Sequence, residues 1–162
     1  MTFWSTAGIN PLRKYRFKVT GLLGEPVLVK SVTTPSFEIG QNSYRVLNHE
    51  MKIAGTLSWQ DVTITTIANG KILKSISELM AKSGHSTISG NPTDSGGIVN
   101  SFSSNLKNKI LIEMLDMDGK KASSFELFEW FIASVTYGDL DYSDDELFTV
   151  EITIAYEYAN IT

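Results

Sequence analysis

The sequence predicts a mostly β fold: an antiparallel β-sandwich or barrel with one flanking α-helix and a long projecting hairpin. Three observations carry this expectation. First, residues 148–158 alternate without a fault, with Phe148, Val150, Ile152, Ile154, Tyr156 and Tyr158 on one face and Thr149, Glu151, Thr153, Ala155 and Glu157 on the other. A one-residue slip there would turn six large apolar groups into water, so the register is fixed. Second, residues 44–67 read as two long strands, Tyr44 to Ile53 and Ser58 to Ile67, with a break at Ala54-Gly55-Thr56. The second of these is rich in β-branched residues, which suit a pleated surface. Third, only one segment has helical spacing.

Taken in order, residues 1–12 form a short N-terminal arm with a break at Asn10-Pro11. From Arg13 to Val19, Tyr15, Phe17 and Val19 alternate with Lys14, Arg16 and Lys18, the pattern of a half-buried strand. Gly24-Glu25-Pro26 turns the chain into a strand over 27–32, and Thr33-Thr34-Pro35 breaks or bends the next strand, because proline cannot donate to a ladder. At about 3.3 Å per residue, each arm of the 44–67 hairpin reaches roughly 33 Å. That is long for a domain of this size, so residues 40–56 are expected to project and to need another chain along their edges.

Asn69-Gly70 ends the second arm and supplies a helix cap. Residues 71–82 follow as the helix, with Ile72, Ile76, Leu79 and Met80 on one face, Leu73 beside them, and Ser83-Gly84 as the stop. Residues 84–105 are a Gly/Ser-rich loop of six Ser, four Gly and three Asn. Lys107 to Met117 reads as a strand buried on both faces, Asp118-Gly119 as a hairpin turn, and Phe125 to Tyr137 as the returning strand. The adjacent pairs Leu127-Phe128 and Trp130-Phe131 suggest a bulge or two-sided burial in that strand.

The chain of 162 residues is long enough for one domain with one core. No apolar run approaches a membrane span, and the start has no secretory pattern. There are no cysteines, which excludes disulfides, thiolate metal sites and cysteine nucleophiles and fits a reducing cytoplasm. The net charge of −4 is unevenly spread: +4 over residues 1–54, +2 over 55–109 and −10 over 110–162. The acidic residues are interleaved with large apolar ones in strand patterns, so complementary basic and acidic faces suited to head-to-tail stacking fit better than a solvated tail.

Chemistry is largely absent from the pattern, and no catalytic, cofactor-binding or metal-binding residue is assigned. His49 lies in the hairpin and His85 in the Gly/Ser-rich loop, neither within a local motif. The carboxylates from Asp139 to Glu146 begin like a calcium loop, but the sixth place is Asp144 instead of glycine and the twelfth is Val150 instead of glutamate. A solvated loop is the better reading. Gly96-Gly97 lacks the lysine and hydroxyl residue of a phosphate loop. Arg13, Lys14, Arg16 and Lys18 are the main basic cluster, and a subunit interface suits them better than nucleic acid. Trp59 and Trp130 are expected in the core, and Trp4 as a docking residue in the arm.

The order of these signals resembles the tail tube proteins of contractile-tailed, T-even-type bacteriophages. The resemblance runs through Asn10-Pro11-Leu12 with Arg16-Phe17-Lys18-Val19, then Lys30 to Pro35, then Lys52-Ile53-Ala54-Gly55-Thr56 with Trp59 to Ile64, and finally Leu140-Asp141-Tyr142-Ser143 with Phe148 to Tyr158. It is weakest over 1–9 and 84–105. It implies a structural virion protein forming hexameric rings that stack into the inner tail tube. Its implied partners are further copies of itself, the tail sheath, the tape-measure protein, and baseplate and tail-terminator proteins. It also implies DNA passing without specific binding, no membrane partner, and assembly in the host cytoplasm. Residues Tyr44, Arg45, His49, Glu50 and Lys52 become candidates for ring-to-ring contact, and Glu126, Glu129, Glu151 and Glu157 candidates for an acidic lumen wall. A type VI secretion tube or a baseplate tube-initiator subunit is the alternative within this class. A monomeric small-ligand β-barrel, or an enzyme built on one, is the alternative outside it.

Overall fold

The computed structural model describes residues 12–22, 28–82, 109–143 and 145–162. The arm up to residue 11, the turn at 24–26, the helix stop and the segment 84–105 with His85 lie outside the described residues.

Ten strands and one helix run β1 Phe17–Thr20, β2 Val29–Val32, β3 Ser36–Val46, β4 His49–Gln60, β5 Val62–Ile67, α1 Gly70–Lys82, β6 Ile110–Leu115, β7 Lys121–Phe128, β8 Phe131–Tyr137, β9 Thr149–Ala155 and β10 Tyr158–Ile161. They build two four-stranded sheets, ordered β1-β6-β7-β10 and β2-β5-β9-β8, and a separate two-stranded ribbon of β3 and β4. Every pairing is antiparallel. The two sheets share one core. Val19, Ile110, Ile112 and Leu127 come from the first, and Val62, Ile64, Val150, Ile152 and Ile154 from the second. The helix adds Ile72 and Ile76. Asn69 Oδ1 accepts from Ile72 N at 2.9 Å, so the asparagine caps the helix as its position before Gly70 predicts.

Three strands expected to be continuous are each broken, and the breaks define the architecture. The segment 125–137 starts earlier, at Lys121, and splits at Glu129-Trp130, so that β7 lies in the first sheet and β8 in the second. Glu129 carries the corner at a φ of 48°, and Trp130 is buried beside it. The adjacent aromatic pairs mark this change of sheet, not a bulge. The segment 148–158 splits at Tyr156-Glu157 for the same purpose, and β10 joins the first sheet. Tyr158 therefore stacks on Phe128, centroids 4.8 Å apart, and remains partly exposed instead of extending the buried row. The first strand begins only at Phe17, because residues 13–16 form a turn closed by Arg16 N donating to Arg13 O at 3.1 Å. Tyr15 is exposed there and not on the core face.

The third break corrects the hairpin. The turn falls at Leu47-Asn48, not at Ala54-Gly55-Thr56, which lies within β4. The return strand expected over 58–67 divides at Asp61 between ribbon and sheet. The ribbon thus spans 36–60, longer at both ends than the 40–56 expected. It continues the β2–β5 pair: Val32 faces Ile64, Ser36 faces Gln60, and the register is unchanged across Pro35. Thr33 N donates to Thr63 O at 2.9 Å, and Thr63 N to Thr33 Oγ1 at 2.8 Å, which holds the ladder beside the proline. Beyond that point β4 alone, at about 3.3 Å per residue, carries the chain roughly 40 Å.

Candidate assembly surfaces

The ribbon is the first surface. Its pairs run Phe37–Trp59 and Ile39–Leu57, then, after a register shift, Gln41–Ala54, Asn42–Ile53, Ser43–Lys52, Tyr44–Met51, Arg45–Glu50 and Val46–His49. The shift sets Gly55 and Thr56 of β4 against Gly40 alone, which is a β-bulge. Side chains alternate along a strand, and one extra residue turns everything beyond it to the other face. The apolar pairs near the root, Phe37–Trp59 and Ile39–Leu57, therefore lie on one face. The apolar residues near the tip, Tyr44, Val46, Met51 and Ile53, lie on the other. A Cβ on Gly55 would come within 3.0 Å of Gly40 O, tighter than side chains usually tolerate, so the bulge is built on that glycine.

Both patches are open in the isolated chain, with Phe37 51% exposed and Ile53 56% exposed. The root is tied to the body by aromatic contacts: Phe37 meets Trp59 edge-on at 5.4 Å, and Trp59 meets Tyr156 at 5.8 Å. Trp59 is thus half-buried at the ribbon root and outside the main core, unlike Trp130. The Tyr156 hydroxyl is buried without a hydrogen bond. Burial, and then the nearby Asp61 carboxylate, raise its pKa above the ordinary 10.0, while the Ser36 backbone opposes this without reaching bonding geometry. At the tip, Leu47 sits in the turn at a φ of 53° and is 92% exposed. A bulky apolar residue in left-handed backbone is costly in water, so its presence suggests a contact. The five ring-contact candidates, Tyr44, Arg45, His49, Glu50 and Lys52, all lie on this outer half, but on two faces. Arg45, Glu50 and Lys52 share one; Tyr44 and His49 share the other.

The two sheets present the second and third surfaces, and they differ. The outward rows of the second sheet run Ser31–Thr65–Glu151–Thr136 and Thr63–Thr153–Ser134, a field of hydroxyls around one carboxylate, with Lys30 exposed in the bulge of the edge strand β2. The outward face of the first sheet carries Lys18 opposite Glu113, and a Lys109–Glu126 ion pair at 2.9 Å. The four lumen candidates are therefore not one wall. Glu151 projects from one sheet and Glu126 from the other, on opposite sides of the sandwich, while Glu129 and Glu157 occupy the two corners where the chain changes sheet. Strand alternation revealed which glutamates face outward, but not that consecutive strands belong to different sheets.

A basic, apolar groove opens where β1 and β2 border the two sheets. Its volume is about 580 Å³; Phe17, Ile112, Met114 and Val32 form its apolar wall, and Arg13, Lys14 and Arg16 stand around it. At the other border, the loop from Asp139 to Leu147 exposes Leu140, Tyr142 and Leu147 among its carboxylates. Within it Asp141 Oδ1 accepts from Ser143 N at 2.9 Å and from Ser143 Oγ at 2.7 Å. These bonds, the backbone one first, hold the Asp141 carboxyl below its ordinary pKa. That is an aspartate-centred turn, as the sequence reading of a solvated loop requires. Among the described residues, no three His, Asp or Glu side chains gather as metal ligands, and no helix is long and apolar enough to cross a membrane.

No family model and no curated protein sequence matches the chain. Solved structures do match, over nearly the whole length. A chain of the sheath–tube complex of an extracellular contractile injection system (PVC, extended state) superposes with a TM-score of 0.69 at 16% identity, over 100% of this chain and 98% of that one. The fold is that of contractile-injection tube proteins. A chain of the anti-feeding prophage baseplate gives 0.71 at 12% identity, over 95% of this chain and 97% of that one. Hcp1 from Flavobacterium johnsoniae gives 0.52 at 11% identity, over 90% and 94%. Within this tube fold the long ribbon, the sandwich and the single helix expected from the sequence all have their places.

Proposed function

We propose that this chain is a structural, non-enzymatic subunit of the inner tube of a contractile tail or tail-like injection particle. Rings of it, hexameric in this reading, stack inside a sheath and deliver DNA through the channel. The observation that carries the proposal is the ribbon: β3 and β4 continue a core sheet of the body far beyond its own domain and expose an apolar patch on each face. A free ribbon of two edge strands is an aggregation hazard in a monomer and a connector in an assembly. The tube fold supplies the setting. Its two opposite patches allow each ribbon to lie between two neighbouring subunits, and Leu47 at the tip joins the ring-contact candidates.

In this reading the second sheet faces the lumen, with Glu151 among hydroxyls and Lys30 only at the sheet's edge. Hydroxyls offer no positive charge to phosphates, and a carboxylate repels them, whereas a basic wall would hold DNA tightly at ordinary salt. Sheath, tape-measure, baseplate and terminator proteins complete the reading as partners, and the tail tube of the particle as location. Similarity to a baseplate chain as well as a tube chain also favours a second reading, a ring at the tube's starting end. The test is the mass and image of the purified protein. Tubes support the main reading and single rings the second. A stable 17.9 kDa monomer at high concentration would overturn both. Deleting residues 42–50 is expected to leave soluble, folded rings or monomers and no long tubes.

A further inference from the structure

The chain's charge asymmetry, +4 in its first third and −10 in its last, resolves in the fold into two particular surfaces on opposite borders of the sandwich. One is the groove between β1 and β2. Its wall is apolar, and Arg13, Lys14 and Arg16 surround it. Arg16 is fixed in place, since its Nη1 donates to Asp116 O at 3.2 Å and its guanidinium lies 5.6 Å from the Tyr15 ring centre. The other is the β8–β9 loop, where Leu140 is 86% exposed and Leu147 68% exposed beside Asp139, Asp141 and Asp145. Large apolar residues so exposed together on an acidic loop mark a surface that another chain covers. A basic-rimmed apolar groove is the matching receptor: leucines enter, carboxylates meet the rim.

The two surfaces cannot meet within one copy. Strand β2 is one edge of its sheet and β8 the other, with β5 and β9 between them. The loop leaves beyond Tyr137, level with Val29, whereas the groove lies at the other end of β2, at Val32 to Thr34. We infer that the leucine-bearing acidic loop of one copy seats in the basic groove between β1 and β2 of the next, forming the side-to-side contact within a ring. The contact is heterologous: each copy offers a groove on one side and a loop on the other. Such contacts close into rings or run on as filaments. This rests on the reading of the chain as a self-assembling tube subunit, and adds which surfaces join neighbours. The ribbon is left for contact between rings.

The test uses charge reversal on each side. One variant carries Arg13→Glu and Lys14→Glu, the other Asp139→Lys and Asp145→Lys; Arg16 and Asp141 are kept because both hold local structure. Each variant alone is expected to raise the concentration needed for assembly about tenfold or more, without loss of folded signal in circular dichroism. Mixed together, the two are expected to co-assemble in alternation, because one junction of each pair is native and the other is charge-swapped but still complementary. All four changes in one chain are expected to restore assembly. Because the chain has no cysteine, Thr34→Cys with Leu140→Cys gives a second readout that does not depend on charge. Oxidation should yield a ladder of linked copies in the double variant, and none in either single one.

Unimpaired assembly of both charge variants with no ladder would overturn the inference, leaving the tube reading intact if the parent still assembles. A cross-link within one copy would overturn it as well. So would a ladder lost only when residues 1–11 are present, which would make the chain's own N-terminus the occupant. A parent protein that stays monomeric at every concentration would instead overturn the tube reading on which this rests.

Discussion

At the residue scale, backbone geometry explains positions that composition leaves silent. Gly21 follows β1 at a φ of 93°, and a Cβ there would run into the Lys109 carbonyl oxygen. Both the dihedral and the space demand glycine. Gly21→Ala is expected to cost at least ~1–3 kcal/mol, read as a fall in the denaturant midpoint. Nothing in the neighbouring sequence marks it, because the obstacle comes from a residue 88 positions away. Tyr156 is the second such position. Its folded pKa lies above the unfolded one, so its contribution to stability is complete below about pH 10 and declines as pH rises through the folded value. The parent is expected to lose stability in alkali more steeply than Tyr156→Phe, and parallel curves for the two would count against the burial argument. The period-two pattern places Tyr156 on the apolar face, but its contact with Trp59 arises because β4 runs on from β5 past the end of β9, beside the β9–β10 corner.

At the scale of elements, the ribbon shows how two readings of one pattern differ. The apolar residues of β4, Met51, Ile53, Leu57 and Trp59, all have odd numbers, so the sequence reads as one amphipathic strand. In β3 the apolar positions change parity, from Phe37 and Ile39 to Tyr44 and Val46. Only a bulge in β4 reconciles the two strands, and Gly55 opposite Gly40 supplies it. The signal for the switch was present in β3, and it was hidden because the true turn at Leu47-Asn48 has none of the usual glycine signature. The glycine at 55 drew the break to the wrong place. Inserting one residue after Gly40, which pairs the extra residue of β4 and so removes the bulge, is expected to put the Met51–Ile53 patch on the same face as Leu57–Trp59. The body should keep its thermal midpoint, since its core lies in the two sheets, while tube length in negative-stain images should collapse. Normal tubes would remove the bulge from the assembly argument.

At the scale of the whole molecule, the proposed tube depends on which face meets which neighbour. The two outer sheet faces differ in chemistry: paired charges on one, hydroxyls and Glu151 on the other. If the proposed tube carries DNA past the second sheet, Glu151→Lys is expected to leave folding and tube formation unchanged but to slow DNA release from assembled particles. Unchanged release kinetics would take Glu151 out of the channel. Glu126→Lys is the matched control, because that residue already pairs with Lys109 at the opposite face.

The sequence by itself determined the class of fold, the helix with its Asn69 cap, the Asp118-Gly119 hairpin and the buried row Val150, Ile152, Ile154. These depend on local periodicity and on turn chemistry within a few residues. It also determined that a ribbon longer than its domain would leave the body. Only the tertiary structure decided where strands change sheet, because a corner at Glu129-Trp130 or Tyr156-Glu157 keeps the alternation of a continuous strand while exchanging one partner sheet for another. For that reason the four candidate glutamates, which share a pattern, do not share a surface. The same corners set the basic groove and the acidic loop on opposite borders of the sandwich, an arrangement that no spacing in the chain encodes.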